Sequence, residues 1–223
     1  MGQLARPSLV MKSVLTYGSV NPGVMARVPN GCRRILDVGC GTGVLGDALK
    51  ADRPGRYLAG ITHSEREAER AREVLDRVLV ADLETCDFLD LGQFDCVICS
   101  HVLEHLRNPA EVLARLRAVL APGGTILIAL PNVLYWRQRL QFLIGRFRYT
   151  EGGLMDNTHV VFFDWTTAQD LVAQAGLRLS TCASEGGFPG SRFLGPAGSV
   201  LDALSVRAAP GLMGTQFILV ATG

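Results

Sequence analysis

Three alternating glycines after a short apolar run constrain the fold of this chain more than any other feature of its sequence. Residues 35–46 read Ile-Leu-Asp-Val-Gly-Cys-Gly-Thr-Gly-Val-Leu-Gly, and a helical pattern follows them. Gly39, Gly41 and Gly43 allow the backbone of a strand-to-helix turn to approach a ligand more closely than any side chain would permit. The pattern therefore predicts a cofactor-binding turn after the first strand of the fold.

The order of apolar and helical segments predicts a parallel sheet. Short apolar runs at 34–38, 56–61, 77–81, 94–99 and 124–130 alternate with helical patterns, which is typical of right-handed βαβ units. Two further runs, at 177–184 and 215–222, enclose a Gly- and Pro-rich stretch and predict a long hairpin. We expect an α/β fold, a doubly wound Rossmann-like three-layer sandwich with a mostly parallel seven-stranded sheet and an antiparallel C-terminal strand.

Composition and charge set the class of protein. The 223 residues, 48% hydrophobic and 19% charged, suffice for the core of one domain. We expect a single domain over 1–223, with a helical lid or substrate-binding insertion at about 131–160 and an irregular hairpin loop at about 185–214. A net charge of +1 gives no general attraction to nucleic acid. The apolar runs are too short to span a membrane, and no apolar signal core follows the first residues, so we expect a cytoplasmic protein.

The six cysteines fit a reducing compartment. Cys96 and Cys99 have C-x-x-C spacing, but both fall in the predicted strand 94–99, where a period of two places them on opposite faces. We expect buried structural thiols there rather than a redox pair or a metal site.

Several classes of cofactor use a glycine-rich turn, and the flanking residues distinguish them. Gly41, Gly43 and Gly46 satisfy the dinucleotide pattern G-x-G-x-x-G, but residues 60–63 carry no acid for the ribose. A Walker-type phosphate loop is excluded because no Gly-Lys-Ser/Thr follows. Asp37, directly before the glycines, suits a cationic ligand or its ordered water. The turn is therefore predicted to bind a cation rather than a polyphosphate.

Four motifs in one order resemble those of class I S-adenosylmethionine-dependent methyltransferases. They are residues 35–43, Val-Ala-Asp-Leu-Glu at 80–84, Phe-Asp-Cys-Val-Ile-Cys-Ser-His-Val-Leu-Glu-His at 94–105 and Leu-Ala-Pro-Gly-Gly at 120–124. The segment 131–163 is similar to a bacterial subgroup associated with sugar, lipid or natural-product modification. The resemblance implies methyl transfer from S-adenosylmethionine to an oxygen or nitrogen of a small-molecule acceptor.

The resemblance also implies residues that bind the donor. Gly39, Cys40 and Gly41 would line its methionine portion through backbone groups. Asp82 would accept a hydrogen bond from the adenine amino group, and the Leu83 backbone would meet the edge of the ring.

The second and fourth strands would contribute further contacts to the donor. Ser100 and His101, at the carboxyl end of the fourth strand, would face its methionine portion. Family members usually have Asp or Glu where this chain has Thr62. The ribose contact is therefore expected to become a neutral hydroxyl bond or to pass to His63.

Three residues are candidates for the base that a hydroxyl acceptor would need, in the order His159, His105 and Tyr17. An amine acceptor would need no base. Residues 101–105 also spell H-x-x-E-H, a zinc-peptidase signature. Because this segment follows a buried strand and no third ligand helix is evident, we expect no metal. Glu104 and His105 are expected instead to form hydrogen bonds and to pack at the cofactor edge.

Residues 131–150 contain four arginines and no acidic residue. This pattern predicts an amphipathic helix that covers the substrate, with homodimer packing or contact with a membrane surface as alternatives. The basic face suits an anionic small-molecule acceptor. Two other functions stay open from the sequence: an NAD(P)-dependent oxidoreductase or epimerase, and a non-catalytic subunit that binds the cofactor for a partner.

Overall fold

A computed structural model describes residues 19–223, apart from the side chain of Arg192. Its strands form one sheet in the order β3-β2-β1-β4-β5-β7-β6. The strands are β1 (Arg34–Val38), β2 (Tyr57–Thr62), β3 (Arg77–Val80), β4 (Phe94–Ser100), β5 (Leu120–Pro131), β6 (Arg178–Gly186) and β7 (Gly214–Thr222). The first five strands are parallel, and β7 is antiparallel to both β5 and β6. The predicted α/β sheet with an antiparallel C-terminal strand is confirmed.

Six of the eight α-helices within residues 19–223 begin at a capping side chain or a proline, and α2 and α5 begin at neither. They are α1 (Pro22–Met25), α2 (Val44–Asp52), α3 (Glu65–Ala71), α4 (Pro109–Arg117), α5 (Trp136–Leu143), α6 (Trp165–Gln174), α7 (Pro196–Ala208) and α8 (Pro210–Met213). Asp164, for example, accepts backbone hydrogen bonds at the start of α6 and forms a capping box with Thr167. Pro109 occupies the first turn of α4, where its missing N–H costs no hydrogen bond.

Two predicted elements differ from the structure. The charged segment after Ser64 predicts a helix over 65–76, but the helix ends at Ala71, because the Asp76 carboxylate accepts the N–H of Leu58 at 2.8 Å and pairs with Lys50 at 3.0 Å. These bonds hold Asp76 against β2, so it does not continue the helix. The stretch 185–214, predicted as an irregular hairpin loop that could hold a short helix at 199–207, contains α7 and α8.

The sheet separates two apolar clusters, one on each face. Cys99 belongs to one cluster and Cys96 to the other, and both side chains are fully buried. This confirms the prediction that the C-x-x-C pair lies on opposite faces of a strand. All six cysteines are free thiols. Within residues 19–223, no helix has the length and apolar character that crossing a membrane requires.

Candidate functional site

A cleft of about 1720 Å³ opens at the carboxyl ends of the parallel strands. It lies beside β1 and β4, where the strand order reverses, and such switch points are where open α/β sheets bind ligands. All the predicted cofactor residues line it: Asp37, Gly39, Cys40, Gly41, Thr62, His63, Asp82, Leu83, Ser100 and His101. His105 and His159 line it as well. Tyr17, the third predicted base, lies outside the described residues.

The glycine turn leaves room for a ligand at Gly41. Gly39 and Gly41 have φ values of +80° and +52°, which other residues rarely adopt. A Cβ at Gly39 would lie 2.8 Å from Val102, whereas a Cβ at Gly41 would meet no atom within 4 Å. The N–H groups of Gly39 and Cys40 both donate to the carbonyl of Ile61 at 2.9 Å. The open space at Gly41 is therefore where a ligand can approach the backbone most closely.

Asp37 places a carboxyl group without a counter-ion in the wall of the cleft. The residue is 3% exposed, and within residues 19–223 it takes part in no ion pair. Burial raises the pKa of the Asp37 carboxyl to about 7. A cationic ligand beside it would favour the ionised form, so the site fits a ligand with a positive charge.

The Cys40 thiol lies in the same wall and is chemically inert. Burial, together with the charges of Asp37 and Glu67, raises the pKa of the Cys40 thiol to about 12. The thiol therefore stays protonated at neutral pH, and it is not a nucleophile.

Glu67 is a cleft residue whose role sequence reasoning missed. Its carboxylate accepts a hydrogen bond from the buried hydroxyl of Thr62 at 2.6 Å. The sequence motif Ser64-x-x-Glu67 predicts a capping box, and Ser64 does accept the N–H of Glu67. The return bond is not made, because the Glu67 side chain turns to Thr62 and lines the cleft. An acidic group therefore lies at the end of β2 although residues 60–63 contain no acid.

Asp82 and Leu83 follow β3 at the other end of the cleft. The Asp82 carboxylate accepts the N–H of Glu84 at 2.8 Å, and its backbone carbonyl accepts the N–H of Cys86 at 2.9 Å. These bonds fold the chain into a turn that presents Asp82 to the cleft while Leu83 packs into the core.

His101 is held between two side chains at the end of β4. Its φ is +52°, a strained value for a residue other than glycine. Its Nδ1 lies 3.2 Å from Glu104 and donates to it, and its Nε2 donates to Gln216 at 2.8 Å. Burial opposes a charge on the ring, but the bonds to Glu104 and Gln216 raise the pKa of His101 above its ordinary value. Gln216 comes from β7 and was not predicted.

Glu104, His105 and His159 form a second polar group in the cleft, which we call the Glu-His-His cluster. The two histidine rings are 4.9 Å apart in an edge-on arrangement. Glu104 and His105 lie on a 3-10 turn (Leu103–His105), so His101 and His105 do not share a face of an α-helix as H-x-x-E-H would suggest. His159 comes from the predicted insertion.

The insertion is attached to the cluster by its backbone. The N–H groups of Val160 and Val161 donate to the carbonyl of Glu104 at 2.8 and 3.1 Å. The Nδ1 of His105 donates to the carbonyl of Thr158 at 3.1 Å. Earlier in the insertion, α5 has no buried residue, and Trp136 at its start lines the cleft.

Sequence comparison establishes the family. A family model described as "Methyltransferase domain" matches residues 11–181. The chain therefore belongs to the methyltransferase domain family and, with its fold, to the class I S-adenosylmethionine-dependent methyltransferases.

Two curated relatives show how far the similarity extends. The ubiquinone biosynthesis O-methyltransferase of Thiobacillus denitrificans is 33% identical over 115 residues, which cover 49% of this chain and 49% of the relative. An uncharacterized 37.1 kDa protein in transposon TN4556 of Streptomyces fradiae is 36% identical over 102 residues, 44% of this chain and 30% of that protein. The aligned part therefore covers half or less of each relative.

Solved structures agree on the fold. A SAM-dependent methyltransferase from Archaeoglobus fulgidus matches with a TM-score of 0.59 and 20% identity, covering 86% of this chain and 87% of the other. A Thermotoga maritima methyltransferase, described as a possible histamine N-methyltransferase, matches with a TM-score of 0.60 and 18% identity, covering 90% and 86%.

Proposed function

We propose that this chain transfers a methyl group from S-adenosylmethionine to an oxygen or nitrogen of a small-molecule acceptor bound in the cleft. The observation that carries the proposal is that one cleft holds both a buried, unpaired carboxyl beside a glycine turn and a separate Glu-His-His cluster. The first suits a cationic donor, and the second suits an acceptor that must lose a proton. When bound, the donor supplies a methyl carbon that its sulfonium has already activated.

The relatives favour oxygen as the acceptor atom. Several are named ubiquinone biosynthesis O-methyltransferases, and a hydroxyl must lose its proton during or before transfer. We propose that His159 and His105, which line the cleft, assist the loss of that proton, and Tyr17 stays a prediction. Arg137 also lines the cleft, which supports the expected preference for an anionic acceptor. Holding the acceptor in line with the bond that breaks accounts for the largest part of catalysis, up to roughly 7–11 kcal/mol.

Ligand-dependent melting temperature tests the proposal first. We expect S-adenosylhomocysteine to raise the melting temperature and NAD to leave it unchanged. Methyl-labelled donor and a panel of phenols, sugars and amines should then yield labelled product with at least one class. Stabilisation by NAD alone would support the oxidoreductase alternative, and donor binding without any product would support the non-catalytic subunit.

We propose Glu67 as the acid that contacts the ribose in place of the one missing at Thr62. Glu67→Gln should weaken S-adenosylhomocysteine binding about ten- to hundredfold, because hydrogen bonds to a charged group are worth about 1.5–3 kcal/mol. Isothermal calorimetry measures this effect. Glu69→Gln, an exposed residue on the same helix, is the control and should bind as the wild type does. In Thr62→Asp with Glu67→Gln, the acid returns to the usual family position, and affinity should recover.

Asp37 should make donor binding depend on pH. Burial raises the pKa of its carboxyl from an ordinary value of 3.8 to about 7 in the folded chain, so the unliganded protein loses stability as the pH rises through this interval and the buried group ionises. S-adenosylhomocysteine lacks the sulfonium charge of the donor but keeps its ammonium group, and a cationic group beside Asp37 favours the ionised carboxylate. Affinity for S-adenosylhomocysteine should therefore rise up to about tenfold per pH unit below 7 and level off above it.

Asp37→Asn provides the control for this pH dependence. The variant should bind S-adenosylhomocysteine weakly and with no rise between pH 5.5 and 7.5. Without ligand, it should be more stable than the wild type at pH 8, because no buried charge forms. An unchanged pH profile in Asp37→Asn would assign the dependence to another group.

A further inference from the structure

The Glu-His-His cluster contains two buried polar atoms without partners. Among residues 19–223, the Oε2 of Glu104 and the Nδ1 of His159 find no hydrogen-bond partner, although Glu104 is 1% exposed and His159 is 8% exposed. A buried polar group left in this state costs about 1–3 kcal/mol. Glu104, His105 and His159 each offer a donor atom, and these atoms lie within 4.8 Å of one another. Three side chains thus bring potential ligand atoms close together in the wall of the cleft.

We infer that Glu104, His105 and His159 bind a divalent transition-metal ion. The two imidazoles favour Zn²⁺, Fe²⁺, Mn²⁺ or Co²⁺ over Mg²⁺ and Ca²⁺, which prefer sites made only of oxygen. Bonds of about 2.0–2.2 Å to such an ion would require the most distant donor atoms to approach one another by up to about 1.5 Å. Three protein ligands leave coordination positions open to the cleft for an acceptor.

Groups behind the three side chains already fix their orientation. The Oε1 of Glu104 is held by His101 at 3.2 Å, which leaves Oε2 as the coordinating oxygen. The bond from Nδ1 of His105 to the carbonyl of Thr158 makes Nε2 the nitrogen with the lone pair. Such bonds to the outer atoms of the ligands are typical of metal sites, where they set tautomer and ring orientation.

The third ligand explains why the H-x-x-E-H motif alone did not predict this site. His101 has both ring nitrogens bound to Glu104 and Gln216, so it supports the site rather than coordinating the ion. His159 provides the third ligand instead. It lies far from the motif in sequence, and the fold of the insertion places it beside Glu104 and His105.

In methyl transfer, the ion would bind and activate the acceptor, a role that rests on the proposed function. A hydroxyl oxygen of the acceptor binds the ion, which lowers the hydroxyl pKa, and the proton passes to solvent. The oxygen then forms its bond to the methyl carbon while the carbon–sulfur bond breaks and its electron pair stays on sulfur. The metal keeps its oxidation state. The two histidines act here as ligands, and no imidazole takes the proton.

Cobalt binding tests the inference without any turnover. The full chain, stripped with a chelator, should bind one equivalent of Co²⁺ and show visible d–d bands without a thiolate charge-transfer band, and Zn²⁺ should displace the cobalt. Glu104→Gln and His159→Asn should each weaken Co²⁺ binding at least about tenfold. The control Glu111→Gln removes an exposed carboxylate on α4 that does not line the cleft, and it should leave Co²⁺ binding unchanged.

Binding of S-adenosylhomocysteine separates this inference from the proposed function and reports folding. If Glu104→Gln or His159→Asn also loses S-adenosylhomocysteine binding, that variant is misfolded, and the Co²⁺ affinity of the other variant tests the inference. Co²⁺ affinity unchanged in both variants, a thiolate band, or stoichiometric binding of Mg²⁺ but not Co²⁺ would overturn the inference. Failure of the wild type to bind S-adenosylhomocysteine while it binds Co²⁺ would overturn the proposed function and leave the metal site standing.

Discussion

Gly41→Val is expected to abolish donor binding, with S-adenosylhomocysteine affinity reduced at least about a hundredfold, or about 2.8 kcal/mol. A side chain at Gly41 would occupy the open space through which a ligand reaches the turn. Isothermal calorimetry on the purified variant measures the loss. The larger valine is preferred to alanine because it fills the space as well as straining the backbone.

Backbone strain alone must be separated from the steric effect. Gly55 also has a positive φ, +92°, and open space around it, but it precedes β2 at the opposite edge of the sheet. Gly55→Val should therefore lose similar stability, about 1–2 kcal/mol, and keep its affinity for S-adenosylhomocysteine. Equal loss of binding in both variants would show that the turn at Gly41 is only a structural element.

His159→Asn is expected to lower the rate of methyl transfer by about a hundred- to ten-thousand-fold while S-adenosylhomocysteine still binds. The reason is that, under the proposed function, His159 assists loss of the acceptor's proton as a base or as a metal ligand. Single-turnover measurements with labelled donor separate this step from binding.

Val160→Ala is the matched control for His159→Asn. Val160 is exposed and does not line the cleft, and its N–H bond to Glu104 survives the substitution. The Val160→Ala variant should transfer methyl groups at the wild-type rate. A normal rate in His159→Asn would remove the Glu-His-His cluster from catalysis and favour an amine acceptor, which needs no help with a proton.

Features that depend on neighbouring residues were predictable from the sequence. The positive φ of Gly39 and Gly41 follows from the alternating glycines, and the opposite faces of Cys96 and Cys99 follow from the period of a strand. The placement of the donor residues in one cleft also follows, because the carboxyl ends of parallel strands meet at one edge of the sheet.

Features that depend on which of several hydrogen-bond partners a side chain chooses were not predictable from the sequence. Glu67 had two nearby groups to bond, the N–H of Ser64 and the hydroxyl of Thr62, and only the position of the end of β2 favours Thr62. The end of α3 at Ala71 has a similar cause, since Asp76 bonds to the sheet. Local sequence patterns indicate which hydrogen-bond partners a side chain could reach, but they do not predict which partner it bonds to in the fold.

The sequence by itself determined a parallel sheet, a glycine turn after its first strand and the position of Asp37 directly before that turn, because each of these depends on local backbone geometry and hydrophobic period. Only the tertiary structure brought His159 to Glu104 and Gln216 to His101. These residues lie far apart in the chain. Their meeting depends on how the insertion and β7 pack on the sheet, and this packing is a property of the whole fold.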